Sequence, residues 1–191
     1  MRELRIKSVV RLLAGREVRH FSMERWIGMI SKVQVERFSL TSSRSFDEEL
    51  ASINDAVGHP DMAEFWRSAR QARTVGELES TIRKALGRTG LMSFVQFDHG
   101  AIVRKETGRD TPRMVRLLIG NPLIMEEMAK HVPDAGSYAP VTVLVDERPD
   151  GVHLSYDSMA SFLAPYGNPD ALAVAQNLDT KVEDLLRQAA A

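Results

Sequence analysis

The chain has 191 residues and a formal net charge of −1; 43% of its residues are hydrophobic and 27% are charged. This length and composition predict one soluble globular domain, or one domain with an appendage, with a substantial buried core. A net charge near zero excludes a global field that would recruit nucleic acid or an anionic membrane.

Missing residue types and motifs exclude several further classes. The chain has no cysteine, which removes disulfides, thiolate metal sites and cysteine nucleophiles and fits a reducing compartment. The sequence contains no secretory signal and no apolar run of the roughly 20 residues needed to span a bilayer. We therefore expect a cytoplasmic protein.

The first 32 residues differ from the rest because they are strongly basic. Together with residue 33 they carry an excess of five positive charges, and apolar residues recur there at helical spacing. Such an arm could contact anionic lipid or nucleic acid, or it could be a solvated extension, and we favour the extension. Alternatively, Met29 is the biological start, because it leads into the first predicted strand.

The rest of the chain predicts strands and helices in turn. Runs rich in β-branched and aromatic residues predict strands at residues 33–41, 91–98 (with a possible extension to 103) and 113–119, and alternation around an Arg-Pro-Asp-Gly turn predicts a hairpin over residues 141–156. Helices are predicted at residues 45–57, twice within 60–90, from 122 to 128, at 158–165 and from 168 to the alanine-rich tail. Residues 104–112 and 131–140 are expected to be polar connections.

Five residues are candidates for a binding or catalytic site. Asp98 and His99 are the parts of general acid–base chemistry, but adjacent strand residues face opposite ways, so Asp98 could instead satisfy backbone N–H groups where the strand ends. Asn121 could serve an anion at a helix start or act only as a cap. Tyr156, which follows Ser155, belongs to the hydrophobic face of the hairpin, and its hydroxyl reaches Asp98 or His99 only if their strands are neighbours.

Metal and cofactor chemistry leaves no recognisable pattern in the sequence. None of the five histidines has the spacing of a zinc site, so no metal site is predicted. The phosphate-binding, dinucleotide-binding and nucleophile-elbow glycine motifs are missing as well. The cofactor, if there is one, is unknown, and so are the catalytic residues.

An ordered set of short motifs resembles the domain-of-unknown-function family 302. The motifs are Phe97-Asp98-His99, Gly120-Asn121-Pro122, Pro140 before the strand at 141–145, and Ser155-Tyr156-Asp157. The resemblance runs from about residue 33 to 189 with an apparent helical insertion at about 60–90. It leaves open whether the helix at 45–57 or the one at 74–86 corresponds to the first helix of the family.

The resemblance implies an α+β fold without an established activity. We expect a two-layer sandwich, with a mostly antiparallel sheet of about five strands and helices packed on one face. The chain would then divide into an arm at 1–32 and a single domain at 33–191, often seen as a homodimer in this family. Asp98, His99, Asn121, Ser155 and Tyr156 would gather around one cleft.

Two functional hypotheses follow. The first is a non-catalytic homodimeric domain that binds a small ligand or a protein partner. The second is a small hydrolase or isomerase in which His99 acts as the general base with Asp98 or Tyr156 as its partner.

Overall fold

The computed structural model describes residues 32–110 and 112–191, and within these ranges the chain forms five strands and seven α-helices. The strands are β1 (Arg37–Ser42), β2 (Met92–Asp98), β3 (Met114–Gly120), β4 (Val141–Arg148) and β5 (Gly151–Asp157). The helices are α1 (Phe46–Ala56), α2 (Met62–Gln71), α3 (Val75–Ala85), α4 (His99–Thr107), α5 (Pro122–Ala129), α6 (Met159–Leu163) and α7 (Pro169–Ala189). Among these residues, no helix combines the length and apolarity needed to cross a bilayer.

The five strands form one sheet in the order β1-β5-β4-β3-β2, and every neighbouring pair is antiparallel. The predicted α+β class, with a mostly antiparallel sheet of about five strands, is therefore confirmed. The chain crosses from one edge of the sheet to the other between β1 and β2, through α1, α2 and α3. The predicted hairpin is also confirmed, because Arg148 pairs with Gly151 across a two-residue turn.

Most of the core lies between one face of the sheet and the helices packed on it. Every second residue of the central strands is buried there: Val115, Leu117 and Ile119 on β3, Val141, Val143 and Val145 on β4, and Val152, Leu154 and Tyr156 on β5. α1 and α7 cover these residues with their own apolar stripes. This alternation follows from the two-residue repeat of a strand with one buried face.

A smaller hydrophobic cluster joins α2 and α3 to the start of β2. Phe65, Ile82 and Met92 are buried in it, and Leu123 of α5 packs against them. The predicted helices within residues 60–90 are thus present, each with a capping side chain at its start. The two clusters come together near the end of β3, which is where the pocket described below lies.

The prediction that the strand at 91–98 extends to residue 103 is wrong. β2 ends at Asp98, and the next nine residues form α4, so the first four residues of the stretch predicted as a polar connection are helical as well. The Asp98 side chain caps this helix by accepting from the N–H of Ala101 at 2.8 Å. α4 also packs tightly on β3, because a Cβ at Gly100 would lie 2.6 Å from the backbone nitrogen of Met114.

The start of β1 and the predicted loop at 131–140 also differ from the sequence prediction. β1 begins at Arg37, four residues later than predicted, because its partner β5 ends at Asp157, the residue opposite Arg37. The predicted loop at 131–140 contains a short 3-10 turn, Pro133–Ser137. The arm predicted at residues 1–32 falls outside the described residues except for Lys32, and the predicted division of the chain stays a prediction.

Candidate functional site

An apolar pocket of about 180 Å³ opens where β3 ends and α5 begins. It lies where the main core meets the smaller cluster, so its wall combines residues that are far apart in the sequence. The lining residues are Trp66, Phe94, Gly120, Asn121, Pro122, Met125, Met128, Ala139, Pro140, Val141 and Leu178. No residue of this wall carries a charge, and the concave, largely apolar shape is typical of small-molecule sites.

Asn121 contributes to this pocket as a helix cap. Its side-chain oxygen accepts from the N–H of Leu123 at 2.9 Å, and its side-chain nitrogen donates to the carbonyl of Gly90 at 3.0 Å. Pro122 follows in the first turn of α5, where its missing N–H costs nothing. Each polar group of Asn121 makes one hydrogen bond within the fold, so this side chain is held in place as part of the pocket wall, with one amide N–H left over.

Asp98 and His99 lie at the opposite end of β2. Besides the cap to Ala101, Asp98 accepts from the guanidinium of Arg104 at 2.9 Å. The backbone N–H of Ala101 and then Arg104 lower the pKa of Asp98, so this carboxylate stays ionised. His99 is the first residue of α4, and its ring stacks on Phe97 with 5.8 Å between centroids. The capping interpretation of Asp98 is therefore confirmed.

Ser155 and Tyr156 point to opposite faces of β5. Ser155 lies opposite Ser39 and Leu144 on the face turned away from the main core. Tyr156 is buried at 1% exposure, and its hydroxyl donates to Asp179 at 2.5 Å. Burial, and then the negative charge of Asp179, raise the pKa of Tyr156. A tyrosine held neutral in this way is a structural hydrogen-bond donor.

Asp179 is a buried carboxylate that the sequence interpretation missed. It accepts from the hydroxyl of Ser158 at 2.6 Å and from the backbone N–H groups of Met159 and Ala160 at 2.7 and 3.0 Å, so it caps α6 from α7. The sequence does contain a signal for this role, because Asp179 comes four residues after Ala175 and so lies on the buried stripe of α7. A charge at such a position predicts a buried, fully bonded carboxylate.

The five predicted site residues do not share one cleft, and that expectation is wrong. Met92 pairs with Gly120 while Asp98 pairs with Val115, so Asp98 and Asn121 lie about 20 Å apart along the strands. The strand of Tyr156 is separated from β2 by β4 and β3, which puts about 14 Å between them. The predicted partnership of His99 with Tyr156 therefore lacks the contact that it requires.

A charged cluster surrounds the Asp98 end of the sheet; it consists of Asp47, Asp98, Arg104, Arg113 and Glu147. Arg113 donates to both carboxylate oxygens of Asp47 and lies 4.3 Å above the ring of Phe46. Hydrogen bonding to Arg113 lowers the pKa of Asp47. The Glu147 side chain accepts from the backbone N–H of Arg113 at 2.8 Å.

The cleft beside the charged cluster is larger than the apolar pocket, at about 720 Å³, and four arginines line it: Arg44, Arg109, Arg113 and Arg148. Arg113 and Arg148 are already bound, to Asp47 and to the buried Asp146. These ion pairs reduce the positive charge that the cleft offers to an anion. Among the described residues, no group of three or more histidine, aspartate or glutamate side chains could hold a metal ion.

Comparisons with known proteins agree with the fold. The family model described as "Domain of unknown function DUF302" matches residues 66–189. The crystal structure of an uncharacterized conserved DUF302 protein from Bacillus stearothermophilus is similar, with a TM-score of 0.56 and 14% identity over 80% of this chain and 97% of that chain. No curated protein matches.

The family match also bears on the open question about the first helix. It begins at residue 66, so it is shorter than the predicted range of 33–189, and it includes α3 but not α1. The capped helix of residues 74–86 is therefore the one that precedes the Asp-His strand within the matched range. Because the match spans most of the chain, this protein belongs to the DUF302 family.

Proposed function

We propose that this protein is a non-catalytic domain that binds a small ligand in the apolar pocket beside Asn121 and acts as a homodimer. The observation that carries the ligand proposal is the pocket itself, a concave space of about 180 Å³ without a charged lining residue. Protein interiors pack about as densely as organic crystals, so a core normally leaves no space of this volume unfilled. Its position at the rim of two hydrophobic clusters favours a small molecule over a protein partner.

The homodimer proposal rests on the sheet face turned away from the main core. Leu144 stands at the middle of this face on the central strand, beside Leu118 and Arg116 of β3. Each of the leucines is only half-buried, and Phe97 at the edge is 41% exposed. Apolar side chains grouped on an open face favour association with a second copy of the chain.

Native mass spectrometry of the purified full chain tests both parts of the proposal. We expect a dimer mass, with added mass where a small molecule is retained from the expression host. A monomer at every protein concentration would contradict the homodimer. A pocket that retains nothing and that also binds none of the probes described below would contradict the ligand role.

A substitution at the centre of the open face tests its part in the dimer. Leu144→Asp introduces a charge where the two copies would meet, and we expect a shift to monomer in light scattering coupled to gel filtration. Ala173→Asp places the same charge on an exposed position of α7 and should leave the dimer intact. A Leu144→Asp protein that is folded by circular dichroism and still dimeric would show that another surface forms the dimer.

A further inference from the structure

We infer that the pocket beside Asn121 takes a small, uncharged aromatic molecule with at most two hydrogen-bond acceptors. This inference rests on the proposed ligand-binding function and goes beyond it by naming the chemical class. It follows from four properties of the wall: its charge, its free polar groups, its aromatic and sulfur atoms, and its volume.

The wall excludes charged ligands. None of its residues ionises, so a buried carboxylate or ammonium would lose its hydration without gaining a counter-ion. Trp66 and Phe94 could attract a cation to their ring faces, but such contacts are worth about 0.5–2 kcal/mol. The desolvation penalty for an unpaired ion is several kcal/mol, so the neutral form of a ligand is favoured.

The wall also offers few hydrogen bonds. Two of its residues carry a nitrogen or oxygen in the side chain, Asn121 and Trp66, and the Asn121 amide already binds Gly90 and Leu123. Pro122 and Pro140 have no backbone N–H to offer. One N–H of the Asn121 amide and the indole N–H of Trp66 remain, and they can serve one or two acceptors such as an ether or carbonyl oxygen. A ligand with several polar groups would leave most of them without a partner.

Aromatic and sulfur atoms make a flat ring the best-matched apolar shape. Trp66 lies 6.4 Å from Phe94 between ring centroids, tilted by 37°, and Phe65 supports Trp66 edge-on at 4.9 Å. Met125 and Met128 add two thioethers, which make favourable contacts with aromatic rings. An aliphatic molecule of equal size would fill the space without these ring contacts.

The volume limits the ligand to one ring with a short substituent or to two small fused rings. A cavity of roughly 150 Å³ is large enough for benzene, and this pocket measures about 180 Å³. Its floor is closed, since Met128 is fully buried, whereas Trp66 at the rim is 43% exposed. A ligand would therefore enter past Trp66 and end against Met128.

Calorimetric titration of the full-length protein with four matched probes tests the chemical class. The probes are anisole, methoxycyclohexane, benzoate and benzylamine, which keep the size similar and change the aromaticity or the charge. We expect anisole to bind about tenfold or more tightly than either ion, which corresponds to about 1.4 kcal/mol or more. Methoxycyclohexane should bind more weakly than anisole, because it lacks the ring contacts.

Gly120→Ala tests whether the probe occupies this pocket. An added Cβ would lie 3.4 Å from Cβ of Pro140 and 3.6 Å from Cε2 of Phe94, which are ordinary contacts with two lining residues. The substitution should narrow the pocket and weaken anisole binding by about tenfold while the protein stays folded. Gly76→Ala is the matched control, because its Cβ meets nothing within 4 Å and lies on α3 outside the wall.

Trp66→Ala is a second test, which stands even if the Gly120→Ala protein fails to fold. Its side chain is half exposed at the rim, so its loss should reduce anisole binding without unfolding the domain. If both variants bind anisole as tightly as the wild type, the pocket is not the binding site.

Equal binding of all four probes would contradict the chemical class and leave the proposed ligand binding standing. Binding of none of them would contradict the class, and if native mass spectrometry also finds no retained molecule, the proposed function falls too.

Discussion

The two ends of the antiparallel strand pair β2–β3 differ in how their polar groups are used. At the Asp98 end, the carboxylate binds Ala101 and Arg104, and Arg113 binds Asp47. At the Asn121 end, the amide also binds within the fold, but an apolar wall with unfilled space remains beside it. At the Asp98 end the polar groups are therefore used within the fold, whereas the unfilled space lies at the end where Gly120-Asn121-Pro122 and Pro140 of the family motifs line the pocket.

The largest expected effect is a loss of stability on removing the carboxylate of Asp179, which, like that of Asp98, is bonded within the fold. Asp179→Ala leaves the Tyr156 and Ser158 hydroxyls and two N–H groups of α6 without their acceptor. We expect the free energy of unfolding to fall by about 3 kcal/mol, measured by urea denaturation. Asp184→Ala, on an exposed position of the same helix, should change it by less than about 0.5 kcal/mol. Equal effects of the two would contradict the role of Asp179.

Asn121→Ala should cost less, about 2 kcal/mol in the free energy of unfolding. One part of this loss is the cap of α5, and the other is the carbonyl of Gly90, which loses its donor in a part-buried place. Urea denaturation beside Asn177→Ala, an exposed asparagine of α7, gives the comparison. A loss no greater than that of the control would mean that Asn121 is free to serve a ligand directly.

Asp98→Ala should cost about 1 kcal/mol at neutral pH, the usual value of a helix cap. The pKa of Asp98 is lowered in the folded protein, so its contribution to stability is present above the unfolded pKa of about 3.9 and disappears as the pH falls through the lower folded value. The difference between wild type and variant should therefore shrink below about pH 4. Urea denaturation at pH 7 and pH 3 measures it, with the exposed Asp55→Ala as control. A constant difference across this range would contradict the ionised cap.

The smallest expected effect is that of His99→Ala. The ring stacks on Phe97, which is itself 41% exposed, so the free energy of unfolding should change by no more than about 0.5 kcal/mol. Anisole binding should be unchanged, since His99 lies at the far end of the sheet from the pocket. A loss of ligand binding or of a measured turnover in a folded His99→Ala protein would restore the catalytic hypothesis.

Local patterns explain why much of the fold could be predicted. The Ser45–Glu48 capping box, the Asn121-Pro122 helix start and the hairpin over 141–156 each need only residues close in the sequence. α4 escaped prediction because Ile102 and Val103 favour strands on their own. The helix forms there because Asp98 caps it and Gly100 allows it to pack against Met114.

The candidate site could not be predicted in the same way, because its wall depends on long-range packing. Trp66, Asn121 and Leu178 come from three distant helices or turns, and nothing in their spacing brings them together. The motif residues were expected to share one cleft, but sequence proximity to a strand end does not reveal whether a side chain is already bonded. Asp98 and Tyr156 are both bonded, to Ala101 and to Asp179.

Protein NMR with anisole compares the two ends of the β2–β3 strand pair in one titration. We expect saturable shifts in the backbone amide signals of Trp66, Gly120, Met125 and Ala139, while those of His99 and Ala101 stay in place. Shifts centred on His99 and Ala101, or no saturable shift anywhere, would contradict a ligand site in the apolar pocket.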